Sequence, residues 1–436
     1  MRRTDRAGRR PAFSRPPAGP LRLAACLAAG TLAFCGGCDP VEDTEPPSPP
    51  PVATVPPRPT TYPVPVLRVL LTGSPVQQAR VGTTGGWRVE SGGRVVAEAG
   101  GALGPVPVRR SAAGWRIGSW HADGRTLTLI PADGAYVRVE DTAYRGELRL
   151  VPHDEAGRFR AVNHVDLEQY LAGVLAKELY PDWHIEAYRA LAVAARTFAM
   201  YQMITYGRGR EYDLGDDQGS QVYGGVAGET SRSRRAVDDT RGVVLSYGDA
   251  GRERIFLAQY SACCGGRVNG AYVIRNAHRI PPLEGGQVCN DCSRCSRYRW
   301  PAVRVTKRDI HRALLRRYTA AATLSGVSRI EVRSRTPSGR AVWTDVFGPR
   351  GNKIRVRAED IRLALLMAKV PAARKLYSMN CRMIDRGGTV EFADGRGFGH
   401  GVGLCQWGAQ AKALQGRSAE EILAFYYPGA KLFRVH

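Results

Sequence analysis

From Val165 to Met203 the chain reads VDLEQYLAGVLAKELYPDWHIEAYRALAVAARTFAMYQM, a helical apolar pattern that a single proline divides. Asp166 followed by Gln169 is a capping-box pattern, and Tyr170, Leu171, Val174 and Leu175 recur at helical spacing behind it. Pro181 ends that helix. Asp182 is the predicted cap of a second helix, whose Tyr188, Leu191, Ala195, Phe198 and Ala199 make one apolar face. Its alanines let another element pack close. Glu178 then falls in the last turn of the first helix, where the helix dipole disfavours a negative charge and raises the pKa of an acid. Such a carboxyl can donate a proton near neutral pH.

The remaining chain must supply whatever packs on this pair. Its 436 residues allow two or three domains, and 63 Lys+Arg against 40 Asp+Glu give a formal +23 that suits an anionic partner. Part of the excess sits in MRRTDRAGRR, a positive segment followed by the apolar run Leu23 to Phe34 and CGGC, the pattern of an export signal over residues 1–38. That run is too short for a comfortable membrane span, which takes about 20 apolar residues. Removing what precedes Cys38 leaves 56 basic against 39 acidic residues, still +17. Wall polymer and anionic lipid both fit an exported basic protein; nucleic acid does not. Cys38 after Gly36 and Gly37 has the look of a lipoprotein processing site, the one route by which membrane attachment is expected. Simple secretion is the alternative.

Residues 39–65 are proline-rich and poor in large apolar side chains, an extended linker. Over 66–160, short apolar segments (Trp87 to Val89, Val95 to Ala97, Leu127 to Ile130, Tyr136 to Val139, Leu148 to Val151) alternate with turn clusters and predict a β-rich part. Its Trp115, Trp120 and Tyr136 are read as core in preference to sugar platforms. The helical core is expected over 161–300 and a mixed α/β part over 301–436. In that last part a capped helix runs from Thr306 through Tyr318, strands cover Ile330 to Val332 and Ala341 to Phe347, and helices run from Arg357 to Ala368 and from Gln406 through Leu414. The whole is an α+β fold: a β-rich N-terminal part and a helical catalytic core that forms a cleft with a Gly-rich C-terminal segment.

Six stretches occur in order: YRGELRL, AVNHVDLEQYLAGVLAKELYP with EAYRALAVAARTFAMY, SQVYGG, QYSACCGG, GRGFGHGVGLCQWGAQAKALQG and EEILAFYYPGAKL. Together they resemble the stage II sporulation protein D family, which includes amidase enhancers, from about Val66 to the C-terminus. The resemblance implies a lytic transglycosylase that cuts peptidoglycan glycan strands, preferentially strands stripped of stem peptides. It places the catalytic acid on Glu178 and brings Arg196, Tyr260 and His400 to the cleft. Leu179 stands where the family pattern has Met, an apolar exchange.

A glycosidase that uses water normally needs two carboxylates. A lytic transglycosylase lets the substrate's own C6 hydroxyl attack, an intramolecular step with a high effective molarity, so one carboxyl serves as acid and then base. The sequence offers one good candidate. Asp182 and Glu186 read as cap and surface charge, and Glu168 lies too early on its helix. Without the family register, Glu178 would be read as a solvated helix-end residue. Arg196 suits bidentate recognition of sugar acetamido or lactyl groups, with a salt bridge as the alternative. Gln221 and Tyr223 suit sugar hydroxyls or are plain turn residues, and Gln406 at the head of its helix joins the substrate-binding set. His400, between two glycines, is either a substrate or Glu178 contact or a turn histidine bonded to backbone.

CNDCSRC (Cys289, Cys292, Cys295) and Cys264 offer four thiols with C-x-x-C spacing, a structural zinc pattern. The resemblance points the same way, as some family members hold a zinc beside the cleft. Disulfides suit an exported chain equally, and an iron–sulfur cluster would require folding before export. Zinc here is structural, and the chemistry needs no cofactor. Cys405, where Ser is common in the family, reads as a small buried residue. The enzyme reading stands beside a non-catalytic wall-binding activator of an amidase, and beside a zinc-knuckle nucleic-acid binder that a cytoplasmic location would revive.

Overall fold

Strand alternation builds the N-terminal part. The computed structural model describes residues 63–436 apart from 155–156, 217–219 and 275–278, so the signal, lipid-attachment and linker expectations for residues 1–62 lie outside the described residues. Two sheets form there. One has seven strands, in the order Leu214–Gly215, Val66–Leu70, Phe159–Asp166, Glu147–Pro152, Leu127–Pro131, Trp87–Ser91, Arg94–Ala99. The other has six, from Thr142–Tyr144 and Val137–Val139 through Gln78–Thr83 and Val106–Ser111 to Gly114–Ile117 and Trp120–Ala122. Leu67, Val69, Leu127, Leu129, Leu148, Leu150, Phe159 and Ala161 alternate inward with period two. Trp115 meets Phe159 edge-on at 5.3 Å and Trp87 meets Trp120 at 5.4 Å, which joins the sheets. The core reading of these tryptophans holds for Trp115, 1 % exposed, whose indole N–H donates to the Arg125 carbonyl at 3.2 Å.

Strand Phe159–Asp166 runs straight into α1 (Leu167–Glu178), where the Asp166 side chain accepts from the backbone N–H groups of Glu168 and Gln169, as its position predicts. α2 (Ile185–Tyr206) is capped by His184 and not by Asp182, because the Tyr180–Trp183 turn carries the chain two residues further before helical geometry begins. α2 packs against α1, α3 (Ser231–Asp239), strand Val243–Tyr247 and two C-terminal helices. Covering on every side explains its alanines: Ala187, Ala190, Ala192, Ala194, Ala195 and Ala199 are all buried.

Past Trp300 the chain leaves this core and makes a second one. Strands Val303–Thr306, Thr389–Ala393 and Arg382–Arg386 form one sheet and Arg329–Arg335, Ala341–Phe347 and Lys353–Arg357 another, with α4 (Lys307–Leu315) and α5 (Ala358–Met367) packed on them. It returns at Gly395, paired with Trp300, and residues Phe398 to Val435 rejoin the first core. Only a glycine fits at 395, since a Cβ there would stand 2.0 Å from the Trp300 ring. The second cluster is built from residues between 300 and 392, and the segment from 395, with α6 (Gln406–Leu414) and α7 (Ala419–Tyr426), packs in the first core with α1 and α2, where the sequence division at 301 separates them. No described helix is long and apolar enough to cross a membrane.

α1, α2 and the C-terminus are tied by one buried network. Arg196 is fully buried and grips Glu168 at 2.6 and 2.9 Å, while His436 meets the same carboxylate at 2.8 Å. Arg196 also donates to the Val243 carbonyl at 3.0 Å. Of the two readings of Arg196, the salt bridge is the one found and contact with substrate is corrected: the small residues around it let the guanidinium sink between helices. Breaking such a pair from one side leaves a buried charge, so Arg196→Ala should lose about 3–5 kcal/mol in urea unfolding. The paired change Arg196→Met with Glu168→Gln should lose much less.

Candidate active site

Glu178 ends α1 and is 6 % exposed. Its Oε2 accepts from the Gln406 Nε2 at 2.9 Å and its Oε1 from the Val222 backbone N–H at 3.5 Å. Gln406 opens α6, so the carboxyl faces the positive end of that helix while terminating the negative end of α1. Burial pushes the Glu178 pKa up, and the bonds from Gln406 and Val222 offset only part of that rise. Desolvation is the largest cause of the rise.

A second layer supports the acid. Tyr170 donates its hydroxyl to Gln221 Oε1 at 3.1 Å, and Gln221 Nε2 donates to the Tyr260 hydroxyl at 3.0 Å and the Ala195 carbonyl at 3.3 Å. Tyr170 and Tyr260 are both pushed well above the ordinary phenol value, first by burial and then by neighbouring charge that includes Glu178. Both remain neutral hydrogen-bonding groups. Tyr223 packs its ring against Tyr144 at 5.4 Å and Tyr170 at 4.8 Å. Gln221, Tyr223 and Tyr260 are thus buried and engaged with protein groups, a correction to their expected place on a substrate-contacting surface. The apolar periodicity that places Tyr170 in α1 gives no hint that its hydroxyl has a polar partner.

His400 follows the alternative reading. It is buried, its Nδ1 accepts from the Val402 backbone N–H at 3.0 Å, and the Tyr260 backbone is a further partner. Desolvation lowers its pKa to about 4, so the ring is neutral and locks the glycine loop onto the Tyr260 segment. That loop is tight: at Gly403, with φ of 66°, a Cβ would lie 1.9 Å from the Gln259 carbonyl oxygen.

Beside it lies a thiol quartet. The sulfurs of Cys264, Cys289, Cys292 and Cys405 all lie within 4.8 Å of one another, with Cys264 and Cys292 3.6 Å apart. Thiolates in tetrahedral zinc sites stand about 3.8 Å apart, so the quartet fits that ion. Cys405 takes the place expected for Cys295. Strand Leu404–Cys405 pairs in parallel with Tyr260–Ser261, and the Cys264 backbone N–H donates to Cys405 Sγ at 3.3 Å. Cys295 instead follows the turn Asn290–Arg294 and accepts from the Arg297 N–H at 3.4 Å. All seven cysteines among the described residues are free and buried.

The raised pKa of Glu178 has a stability consequence. A carboxyl harder to ionise in the folded state imposes no penalty below its unfolded value near 4.5, and an increasing one as pH rises from there through the folded value. Glu178→Gln should therefore raise the Tm at pH 7. The gain should vanish near pH 4; equal gains at both pH values would refute the assignment.

The chain is similar to known families and proteins. A family model described as stage II sporulation protein matches residues 155–247, the segment that holds α1, α2 and Glu178. A second, a domain of unknown function, matches residues 286–403. The chain is 30 % identical over 299 residues to an uncharacterized protein of Brachyspira hyodysenteriae, covering 66 % of this chain and 72 % of that protein. It is 30 % identical over 287 residues to stage II sporulation protein D of Bacillus amyloliquefaciens, covering 62 % of this chain and 75 % of the relative. Against the amidase enhancer of Bacillus subtilis identity is 26 % over 299 residues, 60 % of this chain but only 40 % of the relative's length. The chain belongs to the stage II sporulation protein D family.

Proposed function

We propose that the protein is an exported lytic transglycosylase of the cell envelope that cleaves peptidoglycan glycan strands, chiefly strands free of stem peptides, to 1,6-anhydro-muramyl ends. The observation that carries this reading is a single buried carboxyl, its pKa raised, whose hydrogen-bond partners are an amide side chain and a backbone N–H. Gln406 occupies Oε2 as donor, which leaves the more loosely held Oε1 to carry the proton. Glu178 passes that proton to the glycosidic oxygen as the bond to C1 breaks. The carboxylate so formed is stabilised by the Gln406 bond and the α6 terminus. It then takes the C6 hydroxyl proton as O6 attacks C1, which closes the anhydro ring and restores the acid. Water is not consumed, so no second carboxylate is required.

Cys264, Cys289, Cys292 and Cys405 would hold a structural zinc ion, which supplies rigidity and no chemical step. The relative named amidase enhancer supports a second reading, a non-catalytic wall protein that stimulates an amidase.

Digestion of peptide-stripped peptidoglycan with mass analysis of the ends separates the two. Anhydro ends are expected from the wild type, with Glu178→Gln slower by about 10²–10⁴-fold. Ordinary reducing ends would mean hydrolysis, and an unchanged rate in the variant would refute Glu178 as the acid. Because the Gln406 bond lowers the Glu178 pKa, Gln406→Ala should move the alkaline limb of the rate profile to higher pH. For the thiols, elemental analysis after dialysis should give one zinc per chain, lost in Cys405→Ser and kept in Cys295→Ser. The reverse pattern would restore the sequence-based ligand set.

A further inference from the structure

Glu178 and Gln406 are joined by a hydrogen bond, and the chain continues from each into an aromatic residue of the same cluster. Tyr180 stands two residues after Glu178 and Trp407 one after Gln406, with ring centroids 5.8 Å apart. Trp183 completes the group, 5.3 Å from Tyr180 and 5.1 Å from Trp407. The three differ in exposure: Trp183 is buried at 5 %, Trp407 is half-buried and Tyr180 is 43 % exposed. Only Tyr272, at 37 %, is comparably exposed among the described aromatic side chains.

The turn that carries Tyr180 is held from four sides. Tyr188 donates its hydroxyl to the Tyr180 carbonyl at 3.0 Å, and the Trp183 N–H reaches the same oxygen at 3.1 Å. Arg232 of α3 donates to the Pro181 and Trp183 carbonyls at 2.7 and 2.8 Å, and the His184 N–H donates to Gln410 of α6 at 2.8 Å. A rigid turn that presents an aromatic ring to solvent is a preorganised contact, since little side-chain entropy remains to be lost on binding.

We infer that Tyr180, backed by Trp183 and flanked by Trp407, is a stacking platform for the apolar face of an N-acetylhexosamine ring in the glycan strand, setting the sugar register over Glu178. The inference rests on the glycan-cleaving reading and adds a binding subsite to it. A β-linked hexosamine turns three axial C–H groups to one face, and these suit an exposed aromatic ring that Trp183 and Trp407 already hold by tilted and edge contacts. The occupant is a sugar and not a protein, because one exposed and one half-buried ring fall far short of the roughly 800 Å² per partner that a stable protein interface buries.

The test uses full-length Glu178→Gln protein and a peptide-free tetrasaccharide of alternating N-acetylglucosamine and N-acetylmuramic acid. Calorimetry should show binding that Tyr180→Ala weakens by roughly tenfold or more, while Tyr180→Phe and Tyr180→Trp stay within about twofold of the parent, the spread ordinary for surface substitutions. Proton NMR of the bound sugar, which needs no Tyr180 variant, should show upfield ring-current shifts at C–H groups of one ring face. Unweakened binding in Tyr180→Ala, absent upfield shifts or no binding at all would overturn the platform. If binding and shifts are present but wild-type protein makes no anhydro ends, the platform stands and the transglycosylase reading falls.

Discussion

The hydrogen bond from Gln406 to Glu178 joins positions 228 residues apart, and most of the fold serves to close that distance. Glu178 is delivered by a strand that leads into α1, and Gln406 by a strand that leads into α6. The second strand, Leu404–Cys405, lies parallel to Tyr260–Ser261, so the segment that supplies the Tyr260 hydroxyl and the segment that supplies Gln406 are one structural unit. Two members of the thiol quartet belong to that unit: Cys405 immediately precedes Gln406, and Cys264 lies four residues after Tyr260. Whatever fixes those sulfurs therefore fixes both the amide that touches the acid and the phenol beneath it. The cysteine cluster is better understood as a clamp on the active site than as a staple for a distant loop.

Residues 301–394 meet this arrangement at their two ends and also along their length, where Val342 joins the first core and Tyr377 packs on Phe398 at 5.4 Å. Chain entry and exit are paired at Trp300 and Gly395, and Arg340 reaches back to donate to the Gly399 carbonyl at 3.0 Å. The second family model, over residues 286–403, covers this segment together with Cys289, Cys292 and His400, while Glu178 and its helices lie in the region matched by the first.

Local rules carried the sequence reading far. The Asp166 cap, the Thr306 cap, the span of α6 and the strands of the β-rich part are set by residues within a few positions of one another, and each lies where its pattern places it. The errors share a different cause. Arg196 and Gln221 are polar residues in motif-rich stretches, and nothing local reveals whether such a side chain faces a cleft or a buried partner. The partners of Arg196 and Gln221 are 28 and 39 residues away, at Glu168 and Tyr260, whereas His400 takes the local bond from Val402 that its turn reading allows. Cys405 was passed over for the same reason: C-x-x-C spacing predicts thiols that are close in sequence, and the fourth arrives from a strand over a hundred residues later.

The two glutamates of α1 show how one helix accommodates opposite demands. Glu168, in its first turn, is buried, and burial alone would raise its pKa; the bonds from His436 and Arg196 outweigh that and hold it at about 2. Its folded value lies below the unfolded one, so it contributes stability above the ordinary carboxyl range, lost as pH falls toward 2. Glu178, ten residues on, has no cation among its hydrogen-bond partners and keeps the raised pKa that burial imposes. Its linkage has the other sign and weakens the fold as pH rises. A cation placed against Glu178 would remove that cost and, with it, the raised pKa on which the proposed proton transfer depends. The compensated end of α1 ties the helix to α2 and the C-terminus through Arg196 and His436.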